Sequence, residues 1–284
     1  MVEPVNLDKL ASIVDELPTL PNVMFEVLAV AEDDKSTAED LEEVIMRDQA
    51  LSAKVLKVAN SAYYGIPRTV DTVSRATVLL GFQTVVGLAL TVSVYETLWG
   101  AGKGHFIDRR ELWKHSLGVA TAARLLALEP EGKAGAVAFT AGMLHDIGKT
   151  VLDSHLGEEY GRVLQECHNN GLTVYDAENL ILGVNHADLG QKLARRWQLP
   201  EYLTESIHYH HCLDGAEEEF AKAGALVSMA DYLAKRVGIG DSGDTVEPAI
   251  NQEAFSIWGG SQKQLTIGAD KLEGFREKID AFQT

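Results

Sequence analysis

The sequence predicts an all-α protein in which an N-terminal helical lobe packs on a second helical domain. Apolar residues recur at intervals of three and four, the spacing of an amphipathic helix, and alternation at every second residue is almost absent. Helix-capping patterns precede apolar runs, as where Thr37 is followed three residues later by Asp40. With 284 residues, of which 46% are hydrophobic, the chain is long enough to bury a substantial core.

The first hundred residues are predicted to form the N-terminal lobe. Its expected helices cover Asn22 to Ala31, the stretch from the caps at Ser36 and Thr37 to about Met46, Arg47 to just before Gly65, Val73 to Leu80, and Phe82 to Leu98. Residues 76 to 95 carry no charged side chain and are nominally long enough to span a bilayer. Because Gly81 and several polar residues interrupt this run, we interpret it as two core helices, with a membrane span as the alternative.

A glycine-rich break from Gly100 to Gly104 marks the predicted boundary between the lobe, residues 1–100, and a second domain, residues 101–240. Six helices are expected in the second domain. The first starts after Asp108, and the others cover Lys133 to Gly148, Thr173 to Gly183, Asn185 to Pro200, Pro200 to His211, and Glu217 to Val237. Residues 241–284 are expected to form a linker and one final helix, Ala269 to Phe282. We expect this tail either to pack on the core or to bind a partner.

Composition excludes several classes of function. The net charge of -17 argues against non-specific binding of nucleic acid or of an anionic membrane, because Lys and Arg hold phosphate backbones. Cys167 and Cys212 are the two cysteines and form no C-x-x-C pair, so neither a disulfide framework nor a thiolate zinc site is expected. Met1 to Leu10 lacks the basic and apolar regions of a signal peptide, and we expect a cytoplasmic location.

The stretch Ala141 to Lys149 is the strongest candidate for chemistry. His145 and Asp146 end an uncharged run, and Lys149 lies four residues after His145 on the same helical face. An imidazole and a carboxylate offer one nitrogen and one oxygen ligand to a metal ion, with a cation beside them for an anionic substrate. A buried histidine that forms a salt bridge to its neighbour is the structural alternative for an isolated pair.

Further ionisable residues lie on the apolar stripes or at the ends of other predicted helices. Each has a structural alternative: a histidine in an apolar stripe is often a satisfied core residue, and Glu111 can close a capping box with Asp108. Together they favour a metal cluster, because burying several imidazoles and carboxylates without a shared cation is expensive. The candidate ligands are Glu111, His115, His145, Asp146, His186, His210, His211 and Asp231. Such donors suit iron, manganese or zinc, and Asp146 can bridge two ions.

Several segments resemble the HDOD family, the HD-related output domains of bacterial signalling proteins, over about residues 10 to 240. These segments are Arg47-Asp48, Leu51, Ala59-Asn60-Ser61-Ala62-Tyr63-Tyr64-Gly65 and Ala76-Thr77-Val78-Leu79-Leu80-Gly81. Gln49 departs from the family, which usually has proline there, and Asn60 and Ser61 have the alternative role of ending a helix. The resemblance implies a regulatory role with signalling protein partners. We expect the corner at Tyr63 to Gly65 to pack against the second domain and to communicate its state.

The order of the candidate ligands resembles the HD superfamily of metal-dependent phosphohydrolases, and in particular its HD-GYP branch of cyclic-dinucleotide phosphodiesterases. The resemblance implies two or three divalent transition-metal ions, with iron or manganese favoured and zinc as the alternative, and catalytic roles for Asp146 and Lys149. Lys149 would contact the phosphate, and Glu111 matches the extra carboxylate of the trinuclear members. Two features depart from that branch: Cys212 follows the two histidines where a glutamate is usual, and no Gly-Tyr-Pro loop follows.

Two hypotheses of function remain. In the first, the metal centre hydrolyses a phosphate ester or nucleotide. It turns over little cyclic di-GMP, because the Gly-Tyr-Pro loop that shapes substrate recognition in the relatives is missing. In the second, the protein is a non-catalytic signalling module whose metals only hold helices together and whose N-terminal lobe binds partners. The retained ligand set favours the first hypothesis, and the missing loop favours the second.

Overall fold

The computed structural model describes residues 16, 17, 19–100, 106–128, 130 and 132–281. These residues form helices joined by turns and contain no strand, which confirms the all-α prediction. Met1 to Leu10 and the part of the predicted glycine-rich break that follows Gly100 lie outside the described residues, as does Phe282. The proposed division at residues 100 and 240 therefore stays a prediction.

The described part of residues 1–100 contains five long helices: α1 (Asn22–Glu32), α2 (Ala38–Ile45), α3 (Gln49–Ala59), α4 (Val73–Leu80) and α5 (Phe82–Gly100). Thr37 and Asp40 make both hydrogen bonds of the predicted capping box at the start of α2. Helix α3 is shorter than predicted, because Asp48 caps its first turn and Asn60 ends it. The Asn60 side chain then donates to the Val70 carbonyl and accepts from the Val70 amide, at 2.8 and 2.7 Å, which fixes the following loop.

Helices α4 and α5 are separate, as the sequence predicted. Gly81 lies between them with a φ of 92°, a backbone conformation that favours glycine. Within the described part of the chain, no helix combines the length and the apolar character that crossing a bilayer requires.

Seven helices follow: α6 (Arg109–Leu126), α7 (Lys133–Leu144), α8 (Ile147–Asn170), α9 (Val174–Leu182), α10 (His186–Arg196), α11 (Glu201–Tyr209) and α12 (Glu218–Val237). The single helix predicted from Lys133 to Gly148 was wrong at its C-terminal end. Helix α7 ends at Leu144, and Asp146 stands just outside α8 with a φ of -100° and a ψ of 13°. His145 and Asp146 therefore occupy a junction between two helices, where their side chains are free to point at a common centre.

The C-terminal tail differs from the single helix predicted over Ala269 to Phe282. It contains α13 (Gln252–Trp258), α14 (Gln262–Glu273) and α15 (Arg276–Asp280). Ser261 and Gln264 form a capping box that starts α14 earlier than expected, and Gly274 ends it. Buried Leu265 and Leu272 pack α14 on α6 and α12, so the tail is part of the core.

The two halves of the chain share one continuous apolar core. Tyr63 is buried, its hydroxyl lies 3.0 Å from Thr121 Oγ1 in α6, and its ring packs beside Phe139 of α7. The Tyr95 hydroxyl of α5 donates to the Met143 carbonyl at 3.0 Å, two residues before His145. The corner at Tyr63 thus packs against the second half as expected, while its role in communication stays a prediction.

Candidate metal centre

Six of the eight predicted ligands converge at one buried centre, and a seventh, Asp231, lies beside it, with Oδ1 3.1 Å from His115 Nε2. His115 comes from α6, His145 and Asp146 from the junction of α7 and α8, and His186 from the first residue of α10. His210 and His211 follow the end of α11, and Asp231 comes from the middle of α12. His211 is partly buried, and the other six are buried.

Two glycines of the His-Asp stretch allow the helices to approach closely enough for this convergence. A Cβ on Gly142 would lie 2.6 Å from the Ala120 Cα, so α7 meets the backbone of α6 at this point. A Cβ on Gly148 would lie 2.0 Å from the His186 carbonyl oxygen, where α8 meets the start of α10. Any larger residue would push these backbones apart.

The donor atoms form two groups that share one carboxylate. The three-histidine group comprises Asp146, His186, His210 and His211, and the two-histidine group comprises His115, His145 and Asp146. Within each group, one donor atom from every residue lies within 4.8 Å of the others.

Each oxygen of Asp146 faces one of the groups. Oδ1 lies 3.2 Å from His186 Nε2 and 3.7 Å from His210 Nε2. Oδ2 lies 3.3 Å from His145 Nε2 and 3.7 Å from His115 Nε2. Asp146 can therefore reach both groups, and its role as a bridge between two ions stays a prediction.

Hydrogen bonds fix the tautomers of three histidines. Nδ1 of His145 lies 2.7 Å from the Gly142 carbonyl, and Nδ1 of His210 lies 2.7 Å from the Ile207 carbonyl. Nδ1 of His186 lies 2.6 Å from a carboxylate oxygen of Glu178. Because these partners only accept, we assign the proton to each Nδ1, which leaves the Nε2 lone pair directed at the centre.

Several of the converging nitrogen and oxygen atoms have no hydrogen-bond partner or face another ring nitrogen. His186 Nε2 lies 3.3 Å from His210 Nε2 and 3.0 Å from His211 Nε2. Four further buried atoms lack a hydrogen-bond partner, and they are His115 Nε2, His145 Nε2, Asp146 Oδ1 and Asp231 Oδ1. Facing lone pairs in a dry interior repel, and each unsatisfied buried group costs about 1–3 kcal/mol. Cations at the centre would remove this cost, so the residues fit the metal ions that the sequence predicted.

The charge states suit the same interpretation. Burial lowers the pKa of His210 to about 4 and holds the pKa of His211 well below its usual value, so both rings are neutral near pH 7 and can donate lone pairs. Burial acts to raise the pKa of Asp146, but His145 and Lys149 outweigh it and keep that carboxyl ionised. Neutral imidazoles with a carboxylate and no thiolate are the donors that divalent iron, manganese and zinc accept.

Glu111 belongs to neither group. Its carboxylate accepts a hydrogen bond from Lys114 Nζ at 2.7 Å, and its side chain is partly exposed beside the first turn of α6. Its role as a ligand stays a prediction. Asp231 has the cationic partner that its burial demanded, since Lys235 Nζ lies 2.7 Å from its Oδ2 while Oδ1 lies 3.1 Å from His115 Nε2.

Lys149 is sealed inside the molecule. Its Nζ donates to Asp146 Oδ2 at 2.8 Å and to the Ser242 carbonyl at 3.1 Å, and the residue is 1% exposed. Its contact with a phosphate, which the resemblance implied, stays a prediction.

Sequence reasoning missed Glu178, which supports the three-histidine group. One carboxylate oxygen accepts from the backbone amide and Nδ1 of His186, and the other accepts from the Tyr160 hydroxyl at 2.9 Å. A signal was present, because Glu178 shares the buried face of α9 with Val174 and Leu182. Burial acts to lower the pKa of His186, but the negative charge of Glu178 outweighs burial and raises that pKa. The same negative charge would attract a metal ion bound at Nε2.

Comparisons with known proteins show which family this chain resembles. The family model of the HDOD domain matches residues 17–213. An HDOD domain protein of unknown function from Geobacter sulfurreducens superposes with a TM-score of 0.78 at 25% identity, covering 98% of this chain and all of that one. A protein from Shewanella amazonensis, provisionally named a phosphohydrolase, superposes with a TM-score of 0.65 at 26% identity, covering 93% and 97%.

Two longer proteins match by sequence. An uncharacterised protein of Treponema pallidum is 26% identical over 272 residues, which cover 93% of this chain. A ribonuclease Y from Thermus thermophilus is 33% identical over 134 residues, which cover 46% of this chain. The chain spans about half the length of the Treponema protein and less than a fifth of the ribonuclease.

Proposed function

The chain belongs to the HDOD family, and from that premise we propose that it is a regulatory signalling protein whose buried centre binds divalent transition-metal ions and hydrolyses a phosphate ester. One observation carries the proposal: two groups of possible ligand atoms share Asp146, and four buried atoms at the centre have no hydrogen-bond partner. Lys149 donates to Asp146 Oδ2 and Lys235 to Asp231 Oδ2, but Oδ1 of each carboxylate has no hydrogen-bond partner.

Bound to such ligands, divalent cations supply activation of water and neutralisation of charge on a phosphoryl oxygen. The chain supplies the rest of the site. Asp146 presents one oxygen to each group of histidines. Glu178 and the Ile207 carbonyl hold His186 and His210 in the tautomer that leaves Nε2 free. The surrounding helices exclude bulk water, which strengthens each electrostatic interaction at the centre.

The favoured substrate is a small phosphodiester. The name of the Shewanella protein and that of ribonuclease Y both denote cleavage of phosphate esters, and these relatives support the reaction class. A net charge of -17 disfavours a polymeric nucleic acid as the ligand. Cyclic di-GMP is disfavoured by the absence of a Gly-Tyr-Pro sequence after His210 and His211.

A non-catalytic signalling module is the second candidate, and the burial of Lys149 favours it. The chain from Gly238 onward covers that lysine through the Ser242 carbonyl. In this alternative the ions hold α6, α8, α10 and α12 together, and partner proteins bind elsewhere. Activity of the metal-loaded protein separates the two candidates.

The test begins with elemental analysis of protein purified without chelator, followed by an assay with iron or manganese under reducing conditions on an activated phosphodiester. Wild type is expected to contain metal and to turn the diester over slowly, and His145→Ala to lose both properties. His155→Ala is the matched control, because this partly buried histidine of α8 lies outside both groups. Metal at less than about a tenth of an equivalent in wild type would refute the metal centre, since a site of this kind binds tightly. A metal-replete but inactive wild type would favour the non-catalytic module.

A further inference from the structure

One segment of chain closes the metal centre from outside. This segment, residues 238–251 between α12 and α13, is called the strap. Its Ser242 carbonyl accepts from Lys149, and its Asp244 carboxylate lies 2.6 Å from Lys235 Nζ. Both strap residues are largely buried, with the Asp244 side chain 8% exposed.

The strap is held at several points along its length. The Asp241 amide donates to the Glu111 carbonyl at 3.1 Å, and Asp244 accepts from the Val174 amide at 2.6 Å. Further on, the Thr245 hydroxyl donates to the Cys167 carbonyl at 3.1 Å. Ile239 and Ile250, near the two ends of the strap, pack in or against the apolar core. Between them, Asp241 to Thr245 are held by hydrogen bonds to backbone groups, so this middle part can be released while both ends stay packed.

A cavity of about 310 Å³ lies between the strap, α12 and the turn that precedes α9. Its wall includes two residues of the metal centre, His211 and Asp231, and two charged residues beside them, Lys235 and Asp244. Lys149 does not line it, because the Ser242 carbonyl covers that lysine. Lys235 is therefore the cation that a ligand in this cavity would meet next to the metal centre.

Lys235 lies in a cluster that holds more carboxylates than ammonium groups. Two lysines, Lys149 and Lys235, face three carboxylates, which are Asp146, Asp231 and Asp244. Metal ions would take much of the negative charge of Asp146 and Asp231. Asp244 would then be the remaining counter-ion of Lys235, held beside the centre at the wall of the cavity.

Asp244 is ionised in this position. Burial acts to raise its pKa, but Lys235 and Lys149 outweigh burial and hold that pKa below its usual value. A carboxylate and a phosphoryl group present the same kind of oxygen to an ammonium group, at similar distances.

We propose that Lys235 is the binding site for the phosphoryl group of the substrate, and that Asp244 occupies this site as a built-in anion until the strap is displaced. The inference rests on the proposed function, and it adds the residue that recognises the substrate and a means of regulation. The closed form excludes a phosphoryl group by competition, because Asp244 and the ligand use the same ammonium group. Release of the strap removes Asp244 from Lys235, which keeps its contact with Asp231, and widens access to the cavity beside His211 and Asp231.

The test measures binding of inorganic phosphate by calorimetry to the protein as purified with its metal, in wild type and Asp244→Asn. Asparagine keeps an oxygen to accept from the Val174 amide but lacks the charge that competes for Lys235. We expect phosphate to bind about tenfold more tightly to this variant, equivalent to about 1.4 kcal/mol. Glu247→Gln is the matched control, because it removes one charge from the same cavity wall at an exposed residue whose partner is Arg236. It is expected to leave binding unchanged.

A double variant identifies the lysine. Asp244→Asn combined with Lys235→Gln should bind phosphate no better than wild type does. Equal gains in Asp244→Asn and Glu247→Gln, or a gain that survives loss of Lys235, would overturn the inference. Deuterium exchange of the strap amides in wild type gives an independent check, since saturating phosphate should accelerate it, and unchanged exchange counts against displacement.

Metal content is measured on every sample, which separates this inference from the proposed function. If the wild-type protein contains no metal but Asp244→Asn still binds phosphate more tightly than wild type does, the anion site stands and the metal centre is refuted. Metal-loaded protein without that order would refute the anion site alone.

Discussion

The two donor groups differ in how they are supported. The three-histidine group has four ligand residues, and hydrogen-bond acceptors lie behind two of them. Glu178 and the Ile207 carbonyl bind the outer nitrogens of His186 and His210. The two-histidine group has three ligand residues and no carboxylate behind its histidines in the described structure: the Gly142 carbonyl binds the outer nitrogen of His145, and two lysines lie nearby, since Lys149 contacts Asp146 and Lys235 contacts Asp231. Acceptors behind a ligand strengthen its hold on a metal ion, whereas nearby lysines oppose a cation and attract an anion.

This difference suggests a division of labour. We expect the three-histidine group to retain an ion more tightly, and the two-histidine group to bind an ion more weakly, where an anionic ligand could share it. Asp146 couples the groups, because each of its oxygens faces one of them.

Replacing Asp146 is expected to have the largest effect, because it removes a ligand from both groups. Asp146→Ala should lose both ions and with them the stability that binding provides, about 4 kcal/mol for an ion present at about a thousand times its Kd. Elemental analysis and thermal unfolding, each with and without chelator, measure this loss. If Asp146→Ala kept a full complement of metal, the shared carboxylate would not be a bridge.

Lys149→Ala comes next, and its effect should depend on metal. Without metal, the variant leaves Asp146 buried with no ammonium group, and losing one member of such a pair costs about 3–5 kcal/mol. With metal bound, the ions neutralise Asp146 and the cost should fall. Chemical unfolding of loaded and chelated protein measures both values, with the exposed Lys222→Ala as the control. Equal costs in the two states would mean that no cation replaces the lysine.

Much of this site could be predicted from the sequence, and the junctions and the strap could not. His115, His186 and Asp231 lie where helical periodicity placed them, on buried stripes. The break after Leu144 was missed because the uncharged run from Ala141 contains no residue that predicts a helix end there. The backbone conformation at this point depends on packing against α6 and α10. Asp244 and Ser242 were missed for another reason. They lie in an irregular segment, where no period links sequence to burial, and their partners are distant in the chain.

Glu178→Gln tests the support of the three-histidine group alone. Glutamine keeps an oxygen for the amide and Nδ1 of His186, and its amide group can face Tyr160, but it lacks the charge that makes the imidazole a stronger ligand. Loss of such a support lowers metal affinity about 10–100-fold. Competition with a chromogenic chelator should show one ion weakened and the other unchanged. Glu205→Gln is the control, a buried carboxylate that pairs with Arg195 outside both groups. Equal weakening of both ions would contradict the separation of the two groups.

His211 allows the smallest and finest test. It is the partly buried member of the three-histidine group, its ring packs against Tyr175 with centroids 4.7 Å apart, and it lines the cavity next to the strap. His210, by contrast, is buried and fixed through the Ile207 carbonyl. Because the other three donors remain, His211→Gln should weaken the ion about tenfold, and His210→Gln should weaken it more, since a fixed ligand loses less entropy on binding. Chelator competition on the two variants gives the ratio directly. If His211→Gln lowers metal affinity as much as His210→Gln does, His211 is as firmly held a ligand as the buried His210. The expected difference between the two histidines would then be wrong.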